Sequence, residues 1–307
     1  MNVLLAGGGG LIGTALTNHL RAGGARVTRL VRPPSTGPAR PDQVAWDPTR
    51  GTVDLPRLDR AGPFAGVVNL AGAGIGNRRW SPSRKKLIVE SRIGSTRLLV
   101  DTLAQLSTQP AVLVNASAVG FYGDRGDEVL TEASAAGAGF LADLCREWED
   151  AAAAAAPSEI RVVLLRSGIV LTRTGGALAK QLPLFRLGLG GRMGAGHQFR
   201  SWISLADEIG VIMHCLENRS IAGPVNATAP HPVTDQELAK AIGATLHRPA
   251  VLPVPATVLK LALGDEMATE FVLGGQRVLP AVLDARGFEF AHRDLAVALP
   301  AALSTRP

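Results

Sequence analysis

Glycines follow the first apolar segment of the chain at a spacing that could hold a phosphate group. The apolar segment Asn2–Ala6 has the composition of a buried strand, and the segment Leu11–Arg21 has apolar residues at helical spacing. Glycines at such a strand-to-helix turn let backbone amides approach a pyrophosphate at the positive end of the helix. The alternative is a tight turn without a ligand. We predict a dinucleotide site that is formed by Gly7, Gly10, Leu11, Ile12 and Gly13.

The end of the next predicted strand, Arg26–Val31, indicates which dinucleotide is preferred. A site selective for NAD usually has Asp or Glu there to bind the ribose 2′-hydroxyl. This sequence has Arg32 instead, and a planar guanidinium can pair with a 2′-phosphate. We therefore expect NADP(H) to be preferred, with NAD(H) as the alternative cofactor; an exposed arginine at a strand end is the simpler account of Arg32.

Ser117 and Tyr122 are the candidate catalytic residues. Ser117 follows the predicted strand Ala111–Asn115, where its hydroxyl could polarise a substrate carbonyl. Tyr122 is the only tyrosine of the chain and could donate a proton, although a phenol with a pKa of about 10 is a poor base at neutral pH. The alternatives are that Ser117 caps a strand end and that Tyr122 packs a loop. Hydride transfer itself requires only a nicotinamide and an aligned substrate.

Residues in two other segments could form a substrate pocket. Several lie beside the glycine-rich stretch 188–196, and Arg92 is the candidate partner for an anion, with an exposed helix arginine as the simpler account. No metal site is expected, because the six histidines are far apart and the two cysteines, Cys145 and Cys215, are too few for a zinc site. The candidate pocket residues are Trp80, Arg92, Gln198, Ser201 and Trp202.

The elements that carry these residues alternate between strands and helices, which indicates a parallel sheet with helices on both faces. We expect an α/β fold with a Rossmann doubly wound parallel sheet and a smaller C-terminal substrate lobe. Prolines 33, 34, 38 and 41 predict a loop, and a short hairpin is expected near Trp46–Gly51. The predicted domains are 1–174 for nucleotide binding, 175–247 for the substrate lobe with returning sheet segments, and 248–307 for a small C-terminal domain.

Composition narrows the function classes. The chain has 307 residues, of which 46% are hydrophobic and 19% charged, without an apolar run long enough for a membrane helix. The net charge of +6 fits an anionic small ligand better than nucleic acid, because basic residues are scattered and only 4% of residues are aromatic. We expect a cytoplasmic monomer or homodimer that lacks a targeting peptide and binds no membrane and no nucleic acid.

The motifs together resemble the extended short-chain dehydrogenase/reductase superfamily, and more closely its atypical branch of NAD(P)-dependent epimerase family proteins with a small C-terminal domain. Some members of this branch are described as cell-division inhibitor homologues. The resemblance covers nearly the whole chain. Its marks include the glycine loop, Asn69-Leu70-Ala71-Gly72, Trp46-Asp47-Pro48, Ser91-Arg92-Ile93, Ser201-Trp202-Ile203, Arg277-Val278-Leu279-Pro280 and Gly287-Phe288.

The resemblance implies that Asn69, Ala71 and Gly72 contribute to cofactor binding. It also implies a Tyr-x-x-x-Lys pair, which this sequence lacks, since Phe140 and Leu144 occupy the matching positions. Two functions stay open. One is an oxidoreductase or epimerase-like enzyme that acts on a small polar, sugar- or nucleotide-linked substrate. The other is a non-catalytic NADP(H)-binding regulatory or interaction protein, with a link to cell division as one version.

Overall fold

Alternating strands and helices build one large twisted sheet in the computed structural model, which describes residues 1–33 and 40–304 apart from the side chain of Pro157. The predicted proline loop lies partly outside the described residues, at Pro34 and Pro38. The strands in chain order are β1 (Asn2–Ala6), β2 (Arg26–Val31), β3 (Gln43–Asp47), β4 (Thr52–Val53), β5 (Gly66–Asn69), β6 (Val112–Ala118), β7 (Val129–Leu130), β8 (Arg161–Ser167), β9 (Ile169–Leu171), β10 (Phe199–Arg200), β11 (Trp202–Ser204), β12 (Gly223–Ala227), β13 (Val233–Thr234) and β14 (Arg277–Val278).

The helices connect these strands and continue into the C-terminal segment. A π-helical segment, Ala268–Leu273, follows the ninth helix, and short 3₁₀ turns cover Ile75–Asn77, Val119–Tyr122 and Ala156–Ser158. The helices in chain order are α1 (Leu11–Ala22), α2 (Leu55–Ala61), α3 (Pro82–Ala104), α4 (Phe140–Ala153), α5 (Gly176–Arg186), α6 (Leu205–Glu217), α7 (Asp235–Thr245), α8 (Ala256–Leu263), α9 (Asp265–Met267), α10 (Ala281–Ala285) and α11 (Leu295–Leu303).

The large sheet has the strand order β12-β8-β6-β5-β1-β2-β3-β4. Its neighbours pair in parallel, except that β4 returns antiparallel to β3 as the predicted hairpin. The chain runs from β1 outward through β2 on one side and, after β4, through β5 and β6 on the other. This reversal beside β1 is the point at which doubly wound sheets bind ligands, at the carboxyl ends of the strands. The predicted Rossmann fold is confirmed.

The central strand β1 shows why the sheet is covered on both faces. Its residues Val3 to Ala6 are fully buried, and alternate side chains point to opposite faces. Val3 and Leu5 pack in the core cluster that includes α1 and α6, whereas Leu4 and Ala6 pack in the cluster that includes α2 and α3. The strand therefore holds the glycine turn that follows it between two rigid layers.

The C-terminal segment attaches to the rest of the chain through polar contacts as well as apolar ones. The buried guanidinium of Arg200 donates to the carbonyl oxygens of Val272 and Gly274, and Lys85 pairs with Glu266 at 2.6 Å. β14 pairs in parallel with β7, so the segment also adds a strand to the loop that follows β6. No helix in the described ranges is both long and apolar enough to span a bilayer.

Candidate functional site

The glycine loop between β1 and α1 is sterically restricted to glycine at two of its positions. Gly7 has φ +80°, and a Cβ atom there would lie 2.5 Å from the carbonyl oxygen of Leu70. A Cβ atom on Gly13 would overlap the carbonyl oxygen of Gly7, so α1 can approach β1 closely only because this residue is glycine. Gly7 lets the loop pack against the residues that follow β5, and Gly13 lets α1 pack against the loop, which is the packing that a dinucleotide-binding turn needs.

The N-terminus of α1 is open. Gly10 caps the helix without a side-chain hydrogen bond, and the first turn has no acidic residue. Gly9 and Gly10 are exposed, and a Cβ atom on Gly9 would meet nothing within 4 Å. The first amides of a helix have no partner within it and carry its partial positive charge. The loop thus fits the pyrophosphate of a dinucleotide, with donors from Leu11, Ile12 and Gly13.

Basic side chains surround the β2 side of this loop. The stem of Arg29 lies over Gly8, and the guanidiniums of Arg29 and Arg21 both bind Asp42, at 2.8 Å and 2.6 Å. Burial alone would raise the pKa of Asp42, but the hydrogen bonds from these arginines outweigh it and the pKa is lowered. Arg32 is exposed directly after β2. Three arginines and one neutralised carboxylate leave this side of the loop positive.

Asn69 lies beneath the loop that follows β5. Its side chain is fully buried and donates to Asn115 at 2.7 Å and to Thr96 at 2.9 Å. It also accepts a hydrogen bond from the amide of Ala71 at 3.2 Å. Asn69 therefore holds the backbone of Ala71 and Gly72 in place rather than presenting its own side chain to the surface.

A row of polar side chains crosses the sheet near the carboxyl ends of three neighbouring strands. Ser117, Arg166 and Asn226 are aligned in register on β6, β8 and β12. Arg166 binds Glu149 through Nε and Nη2, both at 2.8 Å, and both side chains are buried. The hydroxyl of Ser117 donates to Glu149 at 2.6 Å. This network was not predicted from the sequence. A signal was present, because Arg166 and Asn226 are polar residues within otherwise apolar strands.

Tyr122 belongs to this network, and its hydroxyl, which the sequence predicts as a proton donor to a substrate, is bound within the network. Its hydroxyl donates to Asn226 at 2.7 Å and accepts from Arg166 at 2.9 Å, and the side chain is 0% exposed. Burial raises the pKa of Tyr122, with the charge of Arg166 acting in the opposite direction. With both hydrogen bonds internal and no exposed surface, the hydroxyl cannot touch a substrate in this conformation.

Ser117 is also buried, at 5% exposure, and its proton is directed to Glu149. The thiol of Cys145 is close to it and is buried as well, and burial raises the pKa of Cys145 to about 11. The thiol is therefore protonated at neutral pH and a poor nucleophile. Ser117 has no proton to donate to a substrate while it is bonded to Glu149.

The first turn of α4, where the tyrosine of related reductases would stand, is capped by the C-terminal segment. The carboxylate of Glu270 accepts from the amides of Phe140 at 3.1 Å and Leu141 at 3.0 Å. Phe140 packs edge-on against Trp80, with ring centroids 5.1 Å apart, and Trp80 also contacts Phe271. The predicted pocket residue Trp80 thus lies in an aromatic cluster that joins the start of α4 to the C-terminal segment. Glu270 was not found from the sequence.

Three other predicted pocket residues, Gln198, Ser201 and Trp202, form hydrogen bonds within the protein. The hydroxyl of Ser201 donates to the carbonyl of Gln276 at 2.7 Å and accepts from the amide of Val278 at 2.9 Å. Gln198 donates to the carbonyl of Met193 at 2.9 Å. Trp202 is 0% exposed within the core, and its indole donates to the carbonyl of His231. The polar groups of Ser201 and Trp202, which the sequence predicts as pocket residues, are thus used internally.

Arg92 lies beside the loop after β5. Its guanidinium is against Gly72, donates to the carbonyl of Ala73 at 2.9 Å, and stacks over Trp148 at 5.1 Å. The residue is 8% exposed, so the alternative account of Arg92 as an exposed helix arginine is wrong. Among the described residues, no cluster of three or more His, Cys, Asp or Glu side chains is placed to hold a metal ion.

Two protein-family models match parts of this chain. Residues 3–226 match the model of the NAD-dependent epimerase/dehydratase family, which is more than half of the chain. The chain belongs to this family. Residues 254–302 match a second model, a domain of unknown function named DUF1731. That match lies inside the predicted C-terminal domain, and it contains Glu270 together with the segment that Arg200 holds.

Proteins from distant organisms are similar to nearly the whole of this chain. An epimerase family protein of Mycobacterium bovis is 43% identical over 305 residues, which are 99% of this chain and 98% of that protein. The crystal structure of human epimerase family protein SDR39U1 with NADPH has a TM-score of 0.87 at 35% identity, covering 98% of this chain and 99% of that one. The nucleoside-diphosphate sugar epimerase from Corynebacterium glutamicum has a TM-score of 0.78 at 36% identity, covering 99% of this chain and 58% of that one.

Proposed function

We propose that this epimerase family member binds NADP(H) at the glycine loop and catalyses an oxidoreductase or epimerase-like reaction on a small polar substrate at the carboxyl edge of β5 and β6. The observation that carries the proposal is the uncapped N-terminus of α1 above a loop in which Gly7 and Gly13 are sterically required. The NADPH named in the human SDR39U1 structure supports the choice of cofactor.

Each part of the loop has a separate task in holding the cofactor. The amides at the start of α1 bind the pyrophosphate, and the exposed Gly9 leaves room for it. Arg32, supported by the positive surroundings of Arg29 and Arg21, binds the 2′-phosphate. Asn69 keeps the β5 loop in the position that lines the groove. The nicotinamide, when bound, supplies or accepts the hydride.

The chain's own residues do not reproduce the Tyr-x-x-x-Lys pair. Tyr122 and Ser117 direct their hydroxyl protons to Asn226 and Glu149, so they position the sheet edge rather than move a proton to a substrate. We expect substrate orientation by groups above the β5 loop to account for turnover, with proton exchange through water. Such an arrangement predicts slow turnover compared with reductases that have the pair.

A titration with NADPH and with NADH tests the cofactor assignment, followed by nicotinamide fluorescence. Substitution Arg32→Ala removes a charge-assisted contact to the 2′-phosphate, so NADPH binding should weaken about 10-fold to 100-fold while NADH binding stays the same. Arg26→Ala, which removes an exposed arginine from the opposite end of β2, is the matched control. Equal losses for both cofactors, or no binding of either by the unsubstituted protein, would contradict the proposal.

The buried network favours one competing function, a non-catalytic NADP(H)-binding module. Every hydroxyl predicted to take part in catalysis is used internally, so the fold could hold the dinucleotide as a ligand and signal its redox state to a partner. NADPH oxidation assayed across a panel of carbonyl substrates separates the two. Tight binding without oxidation of NADPH for any substrate would favour the binding module.

A further inference from the structure

Three arginine side chains are buried in the described part of the chain, and one of them differs from the other two. Arg166 binds Glu149 with two hydrogen bonds, and Arg200 binds Asp235 at 2.9 Å. Arg92 forms no ion pair with a carboxylate anywhere in residues 1–33 and 40–304. A buried charge without an opposite charge is costly, so proteins pair such charges or use them to bind ligands. Arg92 therefore requires an explanation that Arg166 and Arg200 do not.

The hydrogen bonds of Arg92 leave part of its guanidinium unused. Nη1 donates to the carbonyls of Ala73 at 2.9 Å and Ile88 at 3.3 Å, both of which are neutral. Nε is buried and donates to no acceptor in the described residues. Burial lowers the pKa of Arg92 to about 10, which still leaves it charged at neutral pH. The residue is 8% exposed, and its charged group keeps one donor, the buried Nε, without a partner among the described residues.

Arg92 lies on the other side of β1 from the arginine assigned to the 2′-phosphate. Its guanidinium packs against Gly72, where a Cβ atom would be 3.0 Å from Cζ. This loop follows β5, whereas Arg32 follows β2. A 2′-phosphate near Arg32 is therefore bound elsewhere, and Arg92 contacts the loop at the carboxyl edge where the proposed function places the substrate.

We propose that Arg92 binds a carboxylate group of the substrate, so that the substrate is an acidic hydroxy or oxo compound. The inference rests on the proposed function and names its substrate class. The guanidinium packs between the face of Trp148 and Gly72, so a ligand can meet it only at its edge, and a flat carboxylate pairs with that edge through two oxygens. The pair Arg166–Glu149 shows in this same chain how a buried guanidinium binds two carboxylate oxygens at 2.8 Å.

The test uses the full-length protein loaded with NADPH, with acetate as the probe and acetamide as its neutral counterpart at equal ionic strength. Acetate should raise the unfolding temperature, and acetamide should not. Arg92→Met should raise the apparent Kd for acetate at least about 10-fold, and Arg92→Lys should have a smaller effect. Arg97→Met, an exposed arginine on the same helix, should respond like the unsubstituted protein. The Nε signal of Arg92 in NMR spectra, identified by its loss in Arg92→Lys, should shift with acetate.

Several outcomes would overturn the proposal. An acetate response that survives in Arg92→Met places the anion elsewhere, and a protein with neither a temperature change nor an Nε shift has no such site. If inorganic phosphate raises the unfolding temperature and acetate does not, the site binds phosphate rather than a carboxylate. NADPH affinity that falls 10-fold or more in Arg92→Met assigns the residue to the cofactor. If the unsubstituted protein fails to bind NADPH, the proposed function fails, and the same acetate series without NADPH still decides the role of Arg92.

Discussion

Substitution of Glu149 by glutamine should destabilise the protein more than its conservative shape suggests. The carboxylate accepts two hydrogen bonds from Arg166 and one from Ser117, and it is 6% exposed. An amide keeps one oxygen but turns the other position into a donor that faces a donor of Arg166. The charge of Arg166 then stays buried without a partner.

Arg166 cannot avoid this cost by losing its proton. Arginine stays protonated in proteins even when it is buried. In the unsubstituted protein burial lowers the pKa of Arg166 and the hydrogen bonds and charge of Glu149 outweigh it, and the glutamine removes that support. Removing one partner of a buried ion pair typically costs about 3–5 kcal/mol. For a chain of 307 residues the entropy of unfolding is about 0.6 kcal/mol/K, so the loss corresponds to a decrease in Tm of about 5–8 °C.

The free energy of unfolding of Glu149→Gln should be measured in urea and by calorimetry. Glu147→Gln, an exposed glutamate on the same helix, is the matched control and should change stability by less than about 0.5 kcal/mol. The double variant Glu149→Met with Arg166→Met removes both charges and should recover much of the lost stability. A loss below about 1 kcal/mol in Glu149→Gln, or a double variant no more stable than the single one, would refute this account of the network.

Three further predictions concern separate sites. Tyr122→Phe should leave any NADPH-dependent turnover unchanged and cost about 1–3 kcal/mol in urea unfolding, because Asn226 loses its hydroxyl donor; a loss of turnover at full NADPH binding would restore Tyr122 as catalytic. Burial raises the pKa of Glu208 from 4.5 to about 7, so the native state binds this proton more tightly than the unfolded state. The protein should therefore lose about 3 kcal/mol of stability as the pH rises from about 4.5 to about 7. Glu208→Gln should abolish this part of the pH slope, and equal slopes in both proteins would contradict it. Glu270→Gln should weaken the cap of α4 by about 1 kcal/mol and speed amide exchange at Phe140, whereas unchanged exchange would exclude a capping role.

Local sequence signals were enough to predict the first βαβ unit and the fold class. The order of a buried strand, closely spaced glycines and an amphipathic helix specifies its own geometry, because each element is formed by residues close together in the chain. Serine followed by proline is a pattern typical of a helix start, and at the start of α3 the side chain of Ser81 accepts from the amide of Arg84. Helix ends follow less directly from local residues: α4 ends at Ala153, although alanine continues to Ala156.

The composition of the site, in contrast, was decided by contacts between distant segments. Ser117, Arg166 and Asn226 meet only because β6, β8 and β12 become neighbours in a parallel sheet with one particular register. That pairing buries Tyr122, which the sequence alone offered as a proton donor. Likewise, Glu270 reaches the start of α4 across about 130 residues of chain. Spacing along a sequence carries no information about such long-range pairings, whereas burial and hydrogen-bond partners, which only folding assigns, determine whether a polar side chain can act on a substrate.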